Sequence, residues 1–331
     1  MNPTFDSTEL IEAIDRFSDV KLLVIGDVMM DEFIWGTVER ISPEAPVPVV
    51  NVTDETRVLG GAANVVNNIV SIGGEALLTG VVGQDRMGRK ILNMLEGLGS
   101  NPDGVFIDET RPTIIKTRIV AQAQQVVRFD REKKHSLKSE MTDDILSYLN
   151  KKADSLDGVI ISDYGKGVVS MKLMDGVRQC LEGRDVIITV DPQINHFLFY
   201  RNVTSITPNH HEAEAGVGMK IDSDESLEQA GRMLMDGLDL GSALVTRGSQ
   251  GMILFEKNIS SVRIPPVARD VFDLSGAGDT VIAVFTLGLA AGLACREAAI
   301  LSNFAAGIVV GKVGTAFVTT DELKTAVLSA Q

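Results

Sequence analysis

The chain of 331 residues has little positive charge, few cysteines and no long apolar run. It carries 31 basic residues against 45 acidic ones, for a net charge of −14. Nucleic-acid and anionic membrane partners are therefore disfavoured, because both need clustered Lys and Arg. The two cysteines, Cys180 and Cys295, lie far apart, which predicts buried free thiols in a reducing, cytoplasmic compartment. The uncharged apolar run 280–295 is short for a membrane span, and the acidic N-terminus lacks a signal-peptide pattern.

Two common nucleotide-binding motifs are also absent from the sequence. No GxxxxGK[ST] occurs, which excludes a P-loop enzyme. No GxGxxG follows the first apolar run, which disfavours a dehydrogenase that uses a dinucleotide. Any phosphate site in this acidic chain must therefore be built locally, from helix N-termini, backbone N–H groups, a few basic side chains and a metal ion.

Short apolar runs alternate with helical patterns along the chain. Continuous apolar runs are typical of strands buried on both faces, and their alternation with helices predicts a doubly wound, mainly parallel α/β sheet with helices on both faces. The runs are 22–25, 76–82, 159–161, 186–190, 205–207 and 243–246, with helical patterns at 143–152, 171–181 and 226–238. Polar residues that follow these runs lie where such sheets bind ligands: Asp27, Asp163, Asp191, Asn209 and Arg247.

Two segments do not fit this alternation. Residues 35–54 contain three prolines among valines, and residues 113–130 alternate in polarity around a polar turn. Both patterns predict β-hairpins inserted into the α/β unit. We expect one domain over residues 1–331, with inserted segments at about 33–54 and 112–131 that form a small β-sheet. This sheet is interpreted as a lid over a site, as a dimerisation surface, or as both.

The sequence Gly276-Ala277-Gly278-Asp279 precedes an apolar segment, Val281–Cys295, that predicts a buried helix. Small residues allow backbone N–H groups to approach an anion, and the helix N-terminus adds partial positive charge. Because a carboxylate beside an anion is unfavourable unless it acts on a proton, Asp279 is predicted to be a general base. A simple helix cap is the alternative for this motif taken alone.

Further polar residues precede or follow predicted elements. Gly60, Gly61 and Asn64 begin a second helix, and Asp27 and Asp31 follow the first strand, so these residues are candidates for binding sugar hydroxyls. Close helix packing and ordinary turn aspartates are the alternatives. Four basic residues are the candidates for binding a substrate phosphate, although each by itself is more often solvated: Lys116, Arg118, Arg128 and Lys166.

Asn209 and Glu212 are separated by three positions at a predicted helix start. Glu212 there can order water on Mg²⁺, which prefers oxygen ligands and keeps several waters. The same spacing is also that of a capping box, in which Asn209 and Glu212 satisfy each other's backbone N–H groups. Without further context, the capping box is favoured.

The order of these motifs resembles the ribokinase-like (PfkB) family of sugar kinases over nearly the whole chain, from Leu22 to about Thr320. The motifs are GGAAN at 60–64, N-x-x-E at 209–212 and SGAGD at 275–279. Several segments further resemble the heptose 7-phosphate kinases of lipopolysaccharide precursor synthesis, a kinase that also occurs fused to an adenylyltransferase. These segments are 40–49, 162–167, 245–247, 278–281 and 310–315.

The resemblance implies transfer of the ATP γ-phosphate to the anomeric hydroxyl of D-glycero-D-manno-heptose 7-phosphate, in the path to ADP-heptose. It implies that Asp279 is the base, that Gly276, Ala277 and Gly278 form the anion hole, and that Asn209 and Glu212 organise Mg²⁺ through water. It implies a homodimer formed through the inserted sheet, and an adenylyltransferase as a partner in the pathway. The residues implied in nucleotide binding are Asn209, Glu212, Thr246, Arg247, Gly248, Ser275, Asn303 and Lys312.

Two departures from the family pattern stand out. Ser275 replaces a frequent Thr and keeps the hydroxyl, whereas Gln193 replaces the Lys usual in heptose kinases after Asp-Pro. If that Lys binds phosphate, this chain must use another residue. A kinase of ribose, fructose or fructose 6-phosphate is therefore an alternative. A non-catalytic nucleotide- or sugar-binding module is an alternative of a different class.

Overall fold

A computed structural model describes residues 5–122, 124–267, 272–312, 314 and 316–330. The strands are β1 (Lys21–Gly26), β2 (Val28–Ile41), β3 (Pro48–Gly61), β4 (Glu75–Val82), β5 (Val105–Ile107), β6 (Ile114–Ala121), β7 (Gln124–Arg131), β8 (Gly158–Ser162), β9 (Ile187–Asp191), β10 (Ser205–Ile206), β11 (Ser242–Thr246), β12 (Met252–Glu256) and β13 (Val262–Ile264). The helices are α1 (Ser7–Asp15), α2 (Ala62–Ser71), α3 (Arg86–Gly97), α4 (Ser139–Lys152), α5 (Met171–Leu181), α6 (His210–Val217), α7 (Asp224–Leu238), α8 (Ala277–Ala290), α9 (Cys295–Val310) and α10 (Thr320–Leu328).

The larger sheet has the strand order β13-β12-β11-β10-β9-β8-β1-β4-β5. Neighbouring strands from β5 to β11 are parallel, and only β12 and β13 pair antiparallel at one edge. The six predicted apolar runs coincide with six of these strands. The predicted class, a mainly parallel α/β sheet with a second small sheet, is confirmed.

Successive side chains of the central strands enter two separate cores. Leu22 and Val24 of β1 pack with α1, α2, α8, α9 and α10 on one face of the sheet. Leu23 and Ile25 pack with α4, α5 and α7 on the other face. Since burial of each such side chain contributes about 1.5–3 kcal/mol, apolar residues are favoured at consecutive positions. This explains why the strands are continuous apolar runs rather than alternating ones.

The smaller sheet has the order β3-β2-β6-β7 and lies at the carboxyl end of β1. Asp27 alone separates β1 from β2, so the chain passes directly from one sheet into the other. Both predicted hairpins are part of this sheet: β2 and β3 pair antiparallel, as do β6 and β7. Ala123, within the second predicted segment, lies outside the described residues.

The helix predicted over Val281–Cys295 is wrong in its bounds. α8 begins four residues earlier, at Ala277, and ends at Ala290, and α9 then begins at Cys295. Gly292 has a φ of 92°, and the N–H of Leu293 donates back to the carbonyl of Gly288 at 3.0 Å. This reversal satisfies free carbonyls at the end of α8, so the uncharged run contains a helix end that apolarity alone does not reveal.

The length and apolar character of the helices determine whether any of them could cross a membrane. Among the described residues, none of the helices combines the length and the apolar character that a crossing of the bilayer requires.

Candidate active site

Asp279 lies in the first turn of α8 and is only 3% exposed. Asn64 Nδ2, from the start of α2, donates to Asp279 Oδ2 at 2.7 Å. Tyr164 Oη, from the loop after β8, donates to Asp279 Oδ1 at 2.7 Å. Residues from two distant parts of the chain thus fix the carboxylate, and each of its oxygens keeps a lone pair for another donor.

The environment of Asp279 changes its proton affinity. Burial raises the pKa of this carboxyl to about 6, and the hydrogen bonds from Asn64 and Tyr164 partly oppose that rise. The nearby charge of Asp31 also raises the pKa, whereas that of Lys116 lowers it. A carboxylate with a pKa just below neutral pH is suited to accept a proton during a reaction.

The N-terminus of α8 is open beside this carboxylate. Gly276 precedes the helix with a φ of 82°, a conformation that favours glycine, and it has no side chain with which to cap the helix. Among the described residues, a Cβ added at Gly278 would meet only Asp191 Oδ2, at 4.0 Å. The Ala277 N–H already donates to the Leu274 carbonyl at 3.3 Å. Since the first N–H groups of a helix have no intrahelical partners, Gly278 and Asp279 offer donors to an anion.

An apolar cavity of about 230 Å³ lies against the same helix N-terminus. Five predicted nucleotide- or anion-binding residues line it: Thr246, Gly248, Ala277, Gly278 and Asn303. Its apolar walls come from α8, α9, β12 and two loops: Met252, Pro266, Val267, Leu274, Val281, Ala306 and Val310. The cavity and Asp279 thus share the start of α8.

Three other predicted nucleotide-binding residues, Arg247, Ser275 and Lys312, do not line the cavity. Lys312 pairs with Glu322 at 2.7 Å and donates to the carbonyl of Phe317, and it does not line the cavity. Ser275 is half-buried, and its N–H donates to Asp273 Oδ1. The buried Nε of Arg247 has no hydrogen-bond partner among the described residues. Val313 and Thr315, in the last of the segments that resemble heptose kinases, lie outside the described residues.

Asn209 and Glu212 form the capping box that the sequence favours. The Glu212 N–H donates to Asn209 Oδ1 at 3.0 Å, and the Asn209 N–H donates to Glu212 Oε2 at 2.7 Å. Asn209 also forms an isolated parallel β-bridge with Thr246, which lines the cavity. Burial raises the pKa of Glu212. The capping box uses only Oε2 of Glu212, so Oε1 can still bind a ligand. The capping box and the predicted magnesium site are therefore compatible.

A cluster of basic side chains lies on the side of Asp279 formed by the small sheet. We call Lys116, Arg118, Arg128 and Lys166 the cationic cluster. Lys116 is 9% exposed with its Nζ 4.5 Å from the centre of the Tyr164 ring. Burial lowers the Lys116 pKa, and the charges of Arg128 and Lys166 add to that effect. The four predicted phosphate-binding residues are therefore brought together near Asp279.

Carboxylates already pair with three members of this cluster. Arg118 Nη1 lies 2.6 Å from Asp31 Oδ1, Arg128 contacts Asp130 at 2.7 Å, and Lys166 Nζ lies 2.6 Å from Glu132 Oε2. Gly60 leaves room for Asp31, since a Cβ at Gly60 would lie 2.5 Å from Asp31 Oδ2. Gly60 and Asp31 thus lie side by side, as expected for a shared surface.

Asp27 differs from the sequence prediction. It is fully buried, and its carboxylate accepts hydrogen bonds from the N–H groups of Tyr164, Lys166 and Val168. These contacts indicate that Asp27 holds the 164–168 loop in place, and they disfavour the predicted contact with sugar hydroxyls. Gly61 has a φ of 56°, and a Cβ there would lie 2.5 Å from the Asp27 carbonyl, so its glycine serves backbone packing.

Sequence reasoning assigned no role to two residues of this site. Tyr164 was noted only as part of a family-like segment, although its hydroxyl contacts Asp279. Asp191 was noted only as a polar residue after a strand. Burial, followed by the charges of Glu212, Asp279 and Asp163, raises the pKa of Asp191 well above its usual range. The position of Asp191 at the carboxyl end of β9 was the only available signal.

Comparison with known families identifies the chain's relatives. Residues 19–322 match the model of the pfkB family carbohydrate kinases. The chain belongs to this family. The match covers most of the sequence. It confirms the family resemblance that was drawn from the two glycine-rich motifs and the N-x-x-E motif.

This member of the pfkB family is similar to longer, bifunctional proteins. It is 43% identical over 317 residues to the bifunctional protein HldE of Geotalea uraniireducens, an alignment that covers 95% of this chain. The same alignment covers 64% of that relative, so the chain spans less than two thirds of the longer protein.

Solved structures share the fold of this pfkB kinase at low sequence identity. Phosphofructokinase-2 from Escherichia coli in complex with potassium matches with a TM-score of 0.77 and 16% identity, over 94% of this chain and 99% of that one. The Arabidopsis thaliana ribokinase complexed with ribose and ATP matches with a TM-score of 0.71 and 19% identity, over 94% and 98%. The ribokinase-like fold is thereby confirmed.

Proposed function

We propose that this kinase transfers the γ-phosphate of ATP to the anomeric hydroxyl of D-glycero-D-manno-heptose 7-phosphate, giving the 1,7-bisphosphate. One observation carries the proposal: a buried carboxylate, Asp279, lies at the open N-terminus of α8 between an apolar cavity and a cationic cluster. A base beside an anion site, with an apolar cavity on one side and basic side chains on the other, is suited to phosphoryl transfer to a hydroxyl.

In the proposed reaction, the apolar cavity holds the adenosine part of ATP, beside Thr246, Gly248 and Asn303. The N–H groups of Gly278 and Asp279, at the start of α8, stabilise the charge of the transferring phosphoryl group. Asp279 takes the proton of the acceptor hydroxyl. The acceptor oxygen bonds to the γ-phosphorus, and the bond from this phosphorus to the β-phosphate oxygen breaks. Asn64 and Tyr164 hold the carboxylate in position throughout.

The donor set of the site also fits the predicted Mg²⁺. Asp191 and Glu212 are oxygen donors whose pKa values are raised by burial, and the charge of Glu212 adds to that effect on Asp191. A cation would relieve this accumulation of negative charge. Among the described residues no group of three or more metal-binding side chains is preassembled, which suits Mg²⁺ held largely through waters by Glu212 and Asn209. When bound, Mg²⁺ supplies neutralisation of charge on the ATP phosphates.

The cationic cluster supports a phosphorylated rather than a neutral acceptor. Lys116 and Lys166 are both nearly buried, and they face the same region as Arg128. In the proposal these three residues bind the acceptor phosphate, and Asp31, Gly60 and Asn64 contact sugar hydroxyls. Basic side chains also replace the Lys that heptose kinases usually carry where this chain has Gln193.

The heptose itself is proposed from sequence. Five segments resemble heptose 7-phosphate kinases, and the similarity to HldE extends over 95% of this chain. The word bifunctional in the name of that relative agrees with the expectation that such a kinase also occurs fused to a second enzyme. We therefore include an adenylyltransferase, separate or fused, as the partner that consumes the product.

A homodimer through the small sheet is part of the same proposal. β7 is an edge strand, and all eight of its residues are exposed, including Val126, Val127 and Phe129. Exposed apolar edge strands pair readily with another strand. Light scattering of the wild type and of a Val127→Glu/Phe129→Glu variant tests this part, with a monomeric variant as the expected result and a monomeric wild type as the contradictory one.

The function is tested by an assay of ADP release with Mg-ATP and a panel of acceptors. The panel contains heptose 7-phosphate, ribose, fructose and fructose 6-phosphate. Selective turnover of heptose 7-phosphate supports the proposal. Preference for another acceptor, measured as kcat/KM, would replace the substrate but keep the chemistry. ATP binding without transfer to any acceptor would contradict the proposed reaction and favour a binding module.

A further inference from the structure

A buried arginine outside the residues assigned so far joins three segments of the chain. Arg111 lies between β5 and β6 and is 5% exposed. Its Nε donates to Asp108 Oδ2 at 2.7 Å, its Nη1 to the Lys166 carbonyl at 2.8 Å, and its Nη2 to the His135 carbonyl at 2.7 Å. One planar guanidinium therefore satisfies a carboxylate and two backbone carbonyls at once.

The three segments have a specific relationship to the small sheet. Residues 108–113 lead into β6, and residues 132–137 lead out of β7, so both are connections of the β6–β7 hairpin to the rest of the chain. Residues 163–168 follow β8 and include Tyr164 and Lys166. Arg111 thus ties both connections of the hairpin to the loop that reaches Asp279.

Backbone packing reinforces this junction. The Leu137 N–H donates to the Gly167 carbonyl at 3.1 Å. Gly167 has a φ of 105°, and a Cβ at this position would overlap the His135 carbonyl oxygen. The 132–137 connection therefore lies directly against the loop.

Lys166 is held from two opposite directions. Its N–H donates to Asp27 Oδ2 at 2.9 Å, and its carbonyl accepts from Arg111 at 2.8 Å. Asp27 follows β1 of the large sheet, whereas Arg111 belongs to a connection of the small sheet. The position of the loop is consequently set by both sheets together.

We propose that Arg111 is a positioning residue that couples the β6–β7 hairpin to the loop carrying Tyr164 and Lys166. The inference rests on the proposed function in one respect, that this loop serves the acceptor side of the site. A residue that only stabilises the fold would affect the ATP and acceptor sides alike. A residue that couples the hairpin to this loop changes acceptor binding and the setting of Asp279, and it leaves the ATP KM unchanged.

The test uses Arg111→Lys, which keeps the charge for Asp108 but cannot reproduce the fork to two carbonyls. Arg178→Lys is the matched control, because Arg178 also bonds a carboxylate and two carbonyls, those of Phe199 and Arg201. Hydrogen exchange of the 163–168 amides is measured without substrate, and steady-state kinetics are measured for ATP and for the acceptor.

In Arg111→Lys, amide exchange at 163–168 should rise roughly tenfold to hundredfold, as expected for a lost hydrogen bond to a charged group. The acceptor kcat/KM should fall by a similar factor, with the ATP KM within about twofold of wild type. Arg178→Lys should change neither. Unchanged exchange at 163–168 would overturn the proposal. Equal increases in the ATP KM and the acceptor KM would also overturn it.

A second variant covers the case in which Arg111→Lys does not fold. Gly167→Ala disturbs the same junction without touching the buried ion pair, and it should give the same pattern of exchange and kinetics. A normal loop and normal kinetics in a folded Gly167→Ala protein would contradict the coupling. If the wild type phosphorylates no sugar, the proposed function fails, whereas the exchange measurement still decides whether Arg111 holds the loop.

Discussion

The hydroxyl of Tyr164 donates a 2.7 Å hydrogen bond to Asp279, and the same tyrosine ring lies under the ammonium group of Lys116. One side chain therefore contacts both the candidate base and a member of the cationic cluster. Because Tyr164 belongs to the loop held by Asp27 and Arg111, the position of this loop affects both parts of the site.

Replacement of Asp279 by Asn should remove the base. We expect turnover to fall by about 10²–10⁴, the range for a lost general base, while ATP binding stays within about twofold. The measurements are ADP release and calorimetric titration with ATP. Asp144→Asn, on the exposed part of α4, is the control and should behave as wild type. Turnover of Asp279→Asn near the wild-type value would remove this residue from the mechanism.

Replacement of Tyr164 by Phe should shift the pH dependence of the reaction. The hydrogen bond from Tyr164 lowers the pKa of Asp279, so its loss should raise that pKa above about 6. The acid limb of kcat/KM, which reports groups of the free enzyme, should then move to higher pH. Asp31, Lys116 and Asp191 also face Asp279 and are unchanged in this variant.

Tyr148→Phe is the matched control for this measurement, because Tyr148 is also largely buried but lies in the core on the other side of the large sheet. Its pH profile should match that of wild type. Coincident acid limbs for Tyr164→Phe and wild type would mean that the hydroxyl does not tune the base.

The raised pKa of Asp279 also predicts how stability depends on pH. A carboxyl with a pKa of about 6 in the folded protein and about 3.8 when unfolded favours folding in its protonated form. This contribution is complete below the unfolded pKa and is lost as pH rises through about 6. For a pKa that changes from 3.8 to about 6, the loss is about 3 kcal/mol.

Urea unfolding at several pH values between 4 and 7 tests this dependence. The free energy of unfolding of wild type should fall relative to that of Asp279→Asn across this range, because Asn does not titrate. A difference between the two proteins that stays constant with pH would show that Asp279 has an ordinary pKa.

Replacement of Lys166 by Gln should weaken binding of the acceptor phosphate. We expect the acceptor KM to rise roughly tenfold to hundredfold, as for loss of a charged hydrogen bond, with the ATP KM little changed. Lys134→Gln is the control, since Lys134 also pairs with Glu132 but its side chain is 63% exposed. Equal effects of the two substitutions would indicate that Lys166 contributes only general charge.

Two glycines with positive φ should differ in their tolerance of Ala. At Gly73 a Cβ would have no atom closer than 3.9 Å, so Gly73→Ala should cost only about 1–2 kcal/mol of backbone strain. At Gly61 the Cβ would lie 2.5 Å from the Asp27 carbonyl, which adds about 1–3 kcal/mol of overpacking. Thermal unfolding should therefore rank Gly61→Ala below Gly73→Ala, and the reverse order would contradict the strain at the junction of β1 and β2.

The sequence by itself determined the sheet and the presence of an acid in the first turn of a buried helix. Apolar runs such as 22–25 and 159–161 predicted strands because each successive side chain is buried, on one face or the other. Gly276-Ala277-Gly278-Asp279 predicted an open helix start next to an acid because small residues there leave backbone N–H groups accessible. Both predictions depend on neighbouring residues, which a sequence displays directly.

Only the tertiary structure decided which distant residues meet. Tyr164 and Asn64 lie 115 and 215 residues from Asp279 along the chain, and no local pattern indicates that both bond its carboxylate. The same holds for Asp27, whose position after a strand suggested a ligand contact, whereas its burial against three N–H groups depends on how the 164–168 loop folds over it. Burial and pairing are properties of packed surfaces, so they appear only when strands and loops from separate parts of the chain are brought together.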